Sequence, residues 1–278
     1  MKERVDLHLH TIFSDGLSTP EELLELVRGC RLRAFSVTDH DSVDGYRAVL
    51  ALMTENDPEL VPGLELSCSS EGRDLHMLAY YFDSDSSMLA ESLAKFQEKR
   101  NLRGGLMVKR LNELGVEINM DDVIARAGGA AIGRPHVAQA LLDRGAIGSF
   151  EEAFRKYIGN DGPAYFPKEN ISPADAINII HEAGGLAVIA HPVVSGLGFE
   201  FDDLIEAGLD GIEAFHPDHK QHEVDRLKQV ASAKGLLITG GSDFHGRSGR
   251  CGLVGSEPVG IEYFERLKKA ATQKRSNS

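Results

Sequence analysis

The sequence predicts an α/β fold, either a β/α barrel or an open α/β sheet, interrupted by a helical segment. Three observations predict it. Short apolar runs alternate with capped amphipathic helices on both sides of the middle of the chain. Polar, chemistry-bearing residues sit at or just past the ends of those runs. From about Ser86 to Pro167 the strand pattern lapses and one helix signal follows another.

The first strand is Val5-Asp6-Leu7-His8-Leu9-His10, with Val5, Leu7 and Leu9 on one face and Asp6, His8 and His10 on the other. Imidazoles two residues apart lie about 6.5–7 Å apart on one side of a strand. Together they can hold one divalent cation, the alternative being a half-solvated strand that carries histidines. A polar loop, Thr11 to Ser18, leads to a helix opened by Thr19-Pro20-Glu21-Glu22, with Thr19 and Glu22 as a capping box. Leu23, Leu24 and Val27 form its buried stripe, and Arg28-Gly29 its end. Ala34 to Thr38 is the next strand, ending in Asp39-His40-Asp41, and a helix over about Ser42 to Thr54 follows. Val61 to Leu66 holds Glu65 inside an apolar strand; Leu75 to Tyr81 is the fourth, with His76 near its beginning.

In the helical segment, Gly104-Gly105 is expected to interrupt a helix over Ser87 to Leu114. Asn119 to Asp122 and Ser149 to Glu152 read as N-terminal caps, and Gly133-Arg134-Pro135-His136 opens a further helix. Residues 100–167 are therefore read as a helical insertion within a discontinuous barrel of residues 1–99 and 168–278. The strand–helix rhythm returns with a helix from Ser172-Pro173 to Glu182. Strands follow at Gly185 to Ala190, ending in His191-Pro192, at Gly211 to Phe215, and at Leu236 to Thr239, which runs into Gly240-Gly241-Ser242-Asp243-Phe244-His245. A terminal helix covers about Ile261 to Thr272, with Gln273 to Ser278 frayed.

At 278 residues the chain fits one large domain or one domain with an insertion. Its 42% hydrophobic and 26% charged content supports an ordinary globular core. A formal net charge of -13 argues against broad binding to long double-stranded nucleic acid, though not against a locally positive site. Cys30, Cys68 and Cys251 are too few and too scattered for a disulfide framework, so a cytoplasmic setting is expected. No secretory leader and no membrane-spanning run is expected.

His8, His10, Asp15, His40, Glu65, His76, His191, Asp243 and His245 gather at strand ends, which in a barrel converge on one mouth. Nine imidazole and carboxylate ligands exceed one ion and, with one shared carboxylate, suit three. Without thiolate, the set favours Mn, Fe or Zn over Ca. Taken singly, Asp39-His40 reads as a helix cap and His76 as an ordinary strand residue, whereas a carboxylate buried at Glu65 asks for a cationic partner. The glycines before Asp243 are expected to let the backbone turn sharply beside the site. His216, His219 and His222 are expected mostly at the surface, with His216 the one placed to reach the mouth instead, and the last two on a helix capped by Asp218; His181 is given a structural role at a helix end.

The chain resembles the PHP (polymerase and histidinol phosphatase) family of amidohydrolase-like enzymes. The resemblance lies in Asp6-Leu7-His8-Leu9-His10-Thr11 with Ser14-Asp15-Gly16, Thr38 to Asp41, Gly63-Leu64-Glu65, Ala190-His191-Pro192 and Gly241 to His245. It implies a distorted (β/α)7 barrel and a trinuclear site, with Mn2+ the first choice and Fe2+ or Zn2+ the alternatives. Carried over by position, His8, His10, Glu65 and Asp243 would hold one ion, Glu65, His76 and His191 a second, and Asp15, His40 and His245 a third. Leu9 departs from the Ser or Thr common in the family, but faces away from the rings.

Gly133 to His136, Lys156-Tyr157 and Gly162 to Pro167 are further similar to the subgroup that removes the 3'-phosphate of nucleoside 3',5'-bisphosphates. Relatives in that subgroup also trim short RNA from the 5' end. The resemblance implies a phosphoesterase in which a metal-bridging hydroxide attacks phosphorus, acting on a small nucleotide and on short RNA 5' ends. Arg134 is the first candidate for a phosphate contact, followed by His136, Lys168 and Arg247; the alternatives are a salt bridge anchoring the insertion for Arg134 and a plain surface charge for Lys168. A histidinol-phosphate phosphatase would use the same ions under a different lid. A non-catalytic phosphate-binding module is disfavoured by the complete ligand set.

Overall fold

Strand β1 (Val5–Leu9) is buried along its whole length: Val5, Leu7 and Leu9 enter hydrophobic clusters while Asp6 and His8 are buried as polar groups. The computed structural model describes residues 4–167, 170–246, 253–257 and 259–277. The chain continues through α1 (Pro20–Cys30), β2 (Ala34–Val37), α2 (Asp44–Leu52), β3 (Glu59–Ser70), β4 (Arg73–Tyr80), α3 (Ser87–Glu113), α4 (Met120–Ala127), α5 (Arg134–Asp143) and α6 (Phe150–Ala153). A π-helical turn (Phe154–Ile158) extends α6, and α7 (Pro173–Glu182), β5 (Leu186–Ile189), α8 (Asp202–Glu206), β6 (Gly211–Phe215), α9 (Gln221–Lys234), β7 (Leu237–Gly240) and α10 (Ile261–Asn277) complete the chain.

The seven strands form one sheet in sequence order. A bridge between Leu9 and Phe244, with His10 N–H on Phe244 O at 2.9 Å, brings the two ends together into a nearly closed barrel. Strict β/α alternation fails once. β3 turns directly into β4 through Glu71 and Gly72, both at positive φ (52° and 77°), the conformation tight hairpins need. β4 therefore runs antiparallel to β3 and β5, while the other pairs are parallel. Its beginning, not its end, reaches the mouth, which is where His76 sits.

Several helix signals act as expected. Thr19 and Glu22 cap α1 reciprocally, at 2.9 and 3.3 Å. Ser172 and Asp175 do the same for α7. The box at Ser149 is half made: Ser149 Oγ accepts from Glu152 N–H, but the Glu152 carboxylate takes Gly148 N–H instead. Gly104-Gly105 does not break α3, which runs unbroken from Ser87 to Glu113. A Cβ on Gly104 would lie 2.5 Å from Ile132 Cγ2, so this glycine serves close packing. The first half of α3 gives Leu89 and Leu93 to the barrel core; its second half gives Met107, Val108 and Leu111 to a separate cluster with Ile132, Val137, Leu141 and Ile158. The terminal helix is longer than expected, reaching Asn277, and Arg275 Nη2 donates to Tyr81 O at 2.8 Å. No helix among the described residues is long and apolar enough to cross a membrane.

The glycines before Asp243 act by proximity. Neither Gly240 nor Gly241 has positive φ; Asp243 itself does, at 49°. A Cβ on Gly241 would fall 2.4 Å from His8 N and 2.5 Å from His8 Cβ. Backbone cannot yield as a side-chain tip can, so Gly241→Ala should destabilise the fold by about 1–3 kcal/mol. Thermal unfolding checks this, and an unchanged midpoint would show that β1 and the β7 end have room to separate.

Candidate metal centre

Glu65 stands at the centre, with no exposed surface. Its Oε1 lies 2.9 Å from His76 Nδ1 and 3.1 Å from His191 Nε2. Its Oε2 lies 3.2 Å from His8 Nε2, 3.3 Å from His10 Nε2 and 3.1 Å from His40 Nδ1. Asp243 Oδ1 approaches His8 Nε2 and His10 Nε2 at 3.3 and 3.2 Å. Asp15 Oδ1 approaches His245 Nε2 at 3.0 Å and His40 Nε2 at 3.7 Å. All nine residues singled out in the sequence meet here. Their donor atoms form overlapping groups within 4.8 Å: His10, Asp15, His40 and His245; His8, His10 and Asp243; His8, Glu65 and His191; and His40, Glu65 and His76.

The donor set fits divalent cations. His10 Nε2 and His40 Nδ1 are buried and make no hydrogen bond of acceptable geometry, although carboxylate oxygens lie beside them. The outward ring nitrogens are held instead: His8 Nδ1 by Glu213 Oε1 at 2.8 Å, His10 Nδ1 by Ser14 Oγ at 3.3 Å and His191 Nδ1 by Ser195 Oγ at 3.1 Å. Protons placed on those nitrogens leave the inward Nε2 lone pairs of all three rings for a cation. Burial opposes ionisation of Glu65, yet His40, His76 and His8 hold its carboxyl well below the usual range. Asp15 and Asp243 are held low in the same way. Burial alone would lower His8, but Glu213, Glu65 and Asp243 hold it well above the ordinary imidazole value. The centre thus concentrates ionised carboxylates, which attract cations.

Four residues that support the cluster were not assigned from the sequence. Glu213, in β6, accepts from His8 Nδ1 and takes His191 N–H at 2.8 Å. His191 has φ 26°, a conformation costly for a non-glycine residue, and this bond helps hold it. A carboxylate inside an apolar strand was the available signal, as at Glu65. Asp39 is no helix cap: it accepts from Thr11 N–H and Oγ1 (2.8 and 2.6 Å) and from Ser14 Oγ (2.5 Å), fixing the loop that carries Asp15. Asp6 accepts from Ser242 N–H at 2.9 Å and Gly255 N–H at 2.7 Å. His216 is only 3% exposed, its Nε2 3.3 Å from Asp243 Oδ2, against the surface position expected. β6 ends at Phe215, so His216 is the first residue at the rim, and the turn to His219 folds it inward. His219 is also buried, donating from Nδ1 to Ala214 O at 3.0 Å; it precedes α9, whose cap is Lys220 and not Asp218. His222 is exposed, and His181 pairs with Asp210 at 2.8 Å, both as expected.

A cavity of about 350 Å³ opens onto this cluster, with Asp15, His40, His76, Asp243 and His245 on one part of its wall and Arg100 and Arg134 on another. Arg134 Nη1 donates to Asn160 Oδ1 at 2.8 Å, and its guanidinium lies 5.8 and 5.7 Å from the ring centres of Phe154 and Tyr165. His136 spends both nitrogens on backbone: Nδ1 accepts from Gly133 N–H at 3.1 Å and Nε2 donates to Ser14 O at 2.6 Å. It therefore clasps α5 to the Asp15 loop, leaving no ring nitrogen for a phosphate. Lys168 and Arg247 lie outside the described residues.

Glu213→Gln keeps the shape but leaves either the His8 ring or the His191 N–H without an acceptor. Cation affinity should fall about ten- to a hundredfold, read by calorimetric titration of Mn2+ into metal-stripped protein. Unchanged affinity would separate Glu213 from the centre.

The PHP domain model matches residues 6–157. The phosphoribosyl 1,2-cyclic phosphate 1,2-diphosphodiesterase of Eggerthella lenta is 31% identical over 255 residues, covering 90% of this chain and 97% of the relative. The 5'-3' exoribonuclease Rnm of Escherichia coli is 30% identical, over 86% of this chain and 84% of the relative. The 3',5'-nucleoside bisphosphate phosphatase of Chromobacterium violaceum is 31% identical, over 88% and 89%. Among solved structures, a candidate metal-dependent phosphoesterase from Bifidobacterium adolescentis superposes with a TM-score of 0.86 at 30% identity, covering 95% of each chain. Barrel, cluster and near full-length similarity agree, and the chain belongs to the PHP domain family.

Proposed function

We propose that this protein is a metal-dependent phosphoesterase that removes the 3'-phosphate of nucleoside 3',5'-bisphosphates. It would also trim short 5'-phosphorylated RNA from the 5' end. The observation that carries the reading is that one cavity is lined both by the imidazole–carboxylate cluster and by Arg134. Two regions suited to anions, of different kind, fit a substrate with one reacting phosphate and one held.

His8, His10, Glu65 and Asp243 would hold one ion, Glu65, His76 and His191 a second, and Asp15, His40 and His245 a third. The contacts of Glu65 Oε1 with His76 and His191, and of Asp15 with His245 and His40, support the last two sets. Mn2+ is the first choice, then Fe2+ or Zn2+. Bound there, such ions supply an activated water and stabilise charge on phosphoryl oxygens. Arg134 orients the substrate through its second phosphate, and the Phe154 and Tyr165 rings hold that guanidinium in place. Residues 100–167 would act as the insertion that brings Arg134 to the barrel mouth.

The Eggerthella relative, matched over 97% of its length, favours one further reading: opening of a ribose cyclic phosphate. Phosphate release and product analysis on adenosine 3',5'-bisphosphate, phosphoribosyl 1,2-cyclic phosphate, histidinol phosphate, AMP and a short 5'-phosphorylated RNA separate these. The bisphosphate should turn over fastest among the monoesters and yield 5'-AMP. Release of 3'-AMP, or equal hydrolysis of AMP, would reverse the orientation; turnover of the cyclic phosphate alone would replace the reading.

Arg134→Ala should slow bisphosphate hydrolysis about ten- to a hundredfold, the value of a charge-assisted contact, and leave an aryl phosphate nearly unaffected. Equal losses on both would place Arg134 at the reacting phosphate or in the scaffold.

A further inference from the structure

The cavity has an apolar stretch that neither cations nor phosphate explains. Phe150, Phe154 and Pro135 line it from the helical segment, and Val194, 51% exposed, from the chain after β5. A volume of about 350 Å³ suits a small organic ligand rather than a lone phosphate ion. The two phenylalanine rings are 5.4 Å apart and tilted by 45°. The π-helical turn arranges this. Gly159 N–H reaches Phe154 O at 2.9 Å, and the widened turn lets Ala153 and Ile158 stay fully buried in the second core. Phe150 and Phe154 are left half-buried at the cavity edge. Single wide turns of this kind recur at functional sites. The Arg134 guanidinium lies 5.8 Å from the Phe154 ring centre, so a flat group resting against these rings keeps an attached sugar phosphate within reach of that cation.

We infer that Phe150 and Phe154 form a stacking platform for the base of a nucleotide, so that the site prefers base-bearing ligands to base-free sugar phosphates. Stacking engages the face of a base and not its edge, so purines and pyrimidines are both accepted. The inference rests on the phosphoesterase reading above for its catalytic context and assigns the residues that hold the base, which separates a nucleotide from a base-free ribose cyclic phosphate.

Binding tests it independently of turnover. AMP, UMP and ribose 5-phosphate share a phosphorylated ribose and differ in the base. Calorimetric titration into the Mn2+-loaded protein should show AMP and UMP binding about five- to a hundredfold more tightly than ribose 5-phosphate. Phe154→Leu keeps apolar bulk against the second core and should remove most of that gap; a loss through the Arg134 guanidinium beside this ring falls on all three ligands alike, so the gap is what is read. Phe150→Leu should narrow the gap less, and carries the comparison if the first variant does not fold. Equal affinity of the native protein for AMP and ribose 5-phosphate, or an undiminished gap in the variants, overturns the platform. A protein that prefers AMP but releases no phosphate from the bisphosphate keeps the platform and loses the proposed reaction. One that cuts the bisphosphate but binds AMP and ribose 5-phosphate alike does the reverse.

Discussion

The rest of the structure depends on one buried carboxylate. Glu65 has no exposure, and an ionised carboxylate without compensation in such a place costs several kcal/mol. Five imidazole nitrogens, from His8, His10, His40, His76 and His191, lie within 3.3 Å of its oxygens, so carboxylate and ring nitrogens converge on the same small space. Those residues lie in or just beyond four different strands, so they surround Glu65 only if the barrel closes in the right register. A one-residue slip of β1 would turn His8 and His10 to the outer face. Side chains alone leave the arrangement incomplete, because buried His10 Nε2 and His40 Nδ1 find no properly aligned partner. Cations complete it.

The backbone is bent to serve that end. Asp41, His191 and Asp243 all have positive φ without being glycine, a conformation that costs about 1–3 kcal/mol each. Each is held by a specific contact. Asp41 N–H bonds to Glu65 O at 3.0 Å and its carboxylate takes Ser67 N–H and Arg100 Nη2, at 2.8 and 2.6 Å. Glu213 holds His191, and the Phe244 O bond to His10 N–H anchors the chain beside Asp243. The reversal of β4 belongs to the same pattern, since a parallel strand would carry His76 to the opposite end of the barrel.

Much of this was legible in the sequence, for a physical reason. Strand alternation puts His8 and His10 on one face, a carboxylate in an apolar strand needs a partner, and strand ends converge in a barrel. Glu213 carries the same signal as Glu65, a carboxylate inside an apolar strand, but its role is not legible there, because its partners, His8 and the His191 backbone, arrive from far along the chain. His216 and His219 were misread because spacing alone does not say where β6 stops and α9 starts. Gly104 was misread as a breaker because the reason for a glycine there, Ile132 packed against it, is a tertiary contact. His136 looked like a phosphate ligand from its place beside Arg134, whereas its partner, Ser14 O, is fixed only by docking of α5 on the barrel.

An acidic chain that handles phosphate must create its positive field locally, and the structure shows how. A net charge of -13 repels anions at long range, but salt screens that repulsion beyond about 8–10 Å. Inside the site, two sources of positive charge remain. One is the carboxylate-rich centre, whose negative groups are what allow it to hold cations. The other is the pair of arginines that line the cavity, Arg100 on α3 and Arg134 at the start of α5, with Arg103, further along α3, close to both. Burial, with Arg134 and Arg100 close by, brings the Arg103 guanidinium down to about 10, so it stays charged at neutral pH. Arg103 Nε is committed to Phe166 O at 2.7 Å, and its guanidinium shares the Tyr165 ring with Arg134. The acidic surface therefore does not work against the phosphate binding proposed above: one cavity sets the carboxylate-rich centre of the barrel against Arg100 and Arg134 of the helical segment.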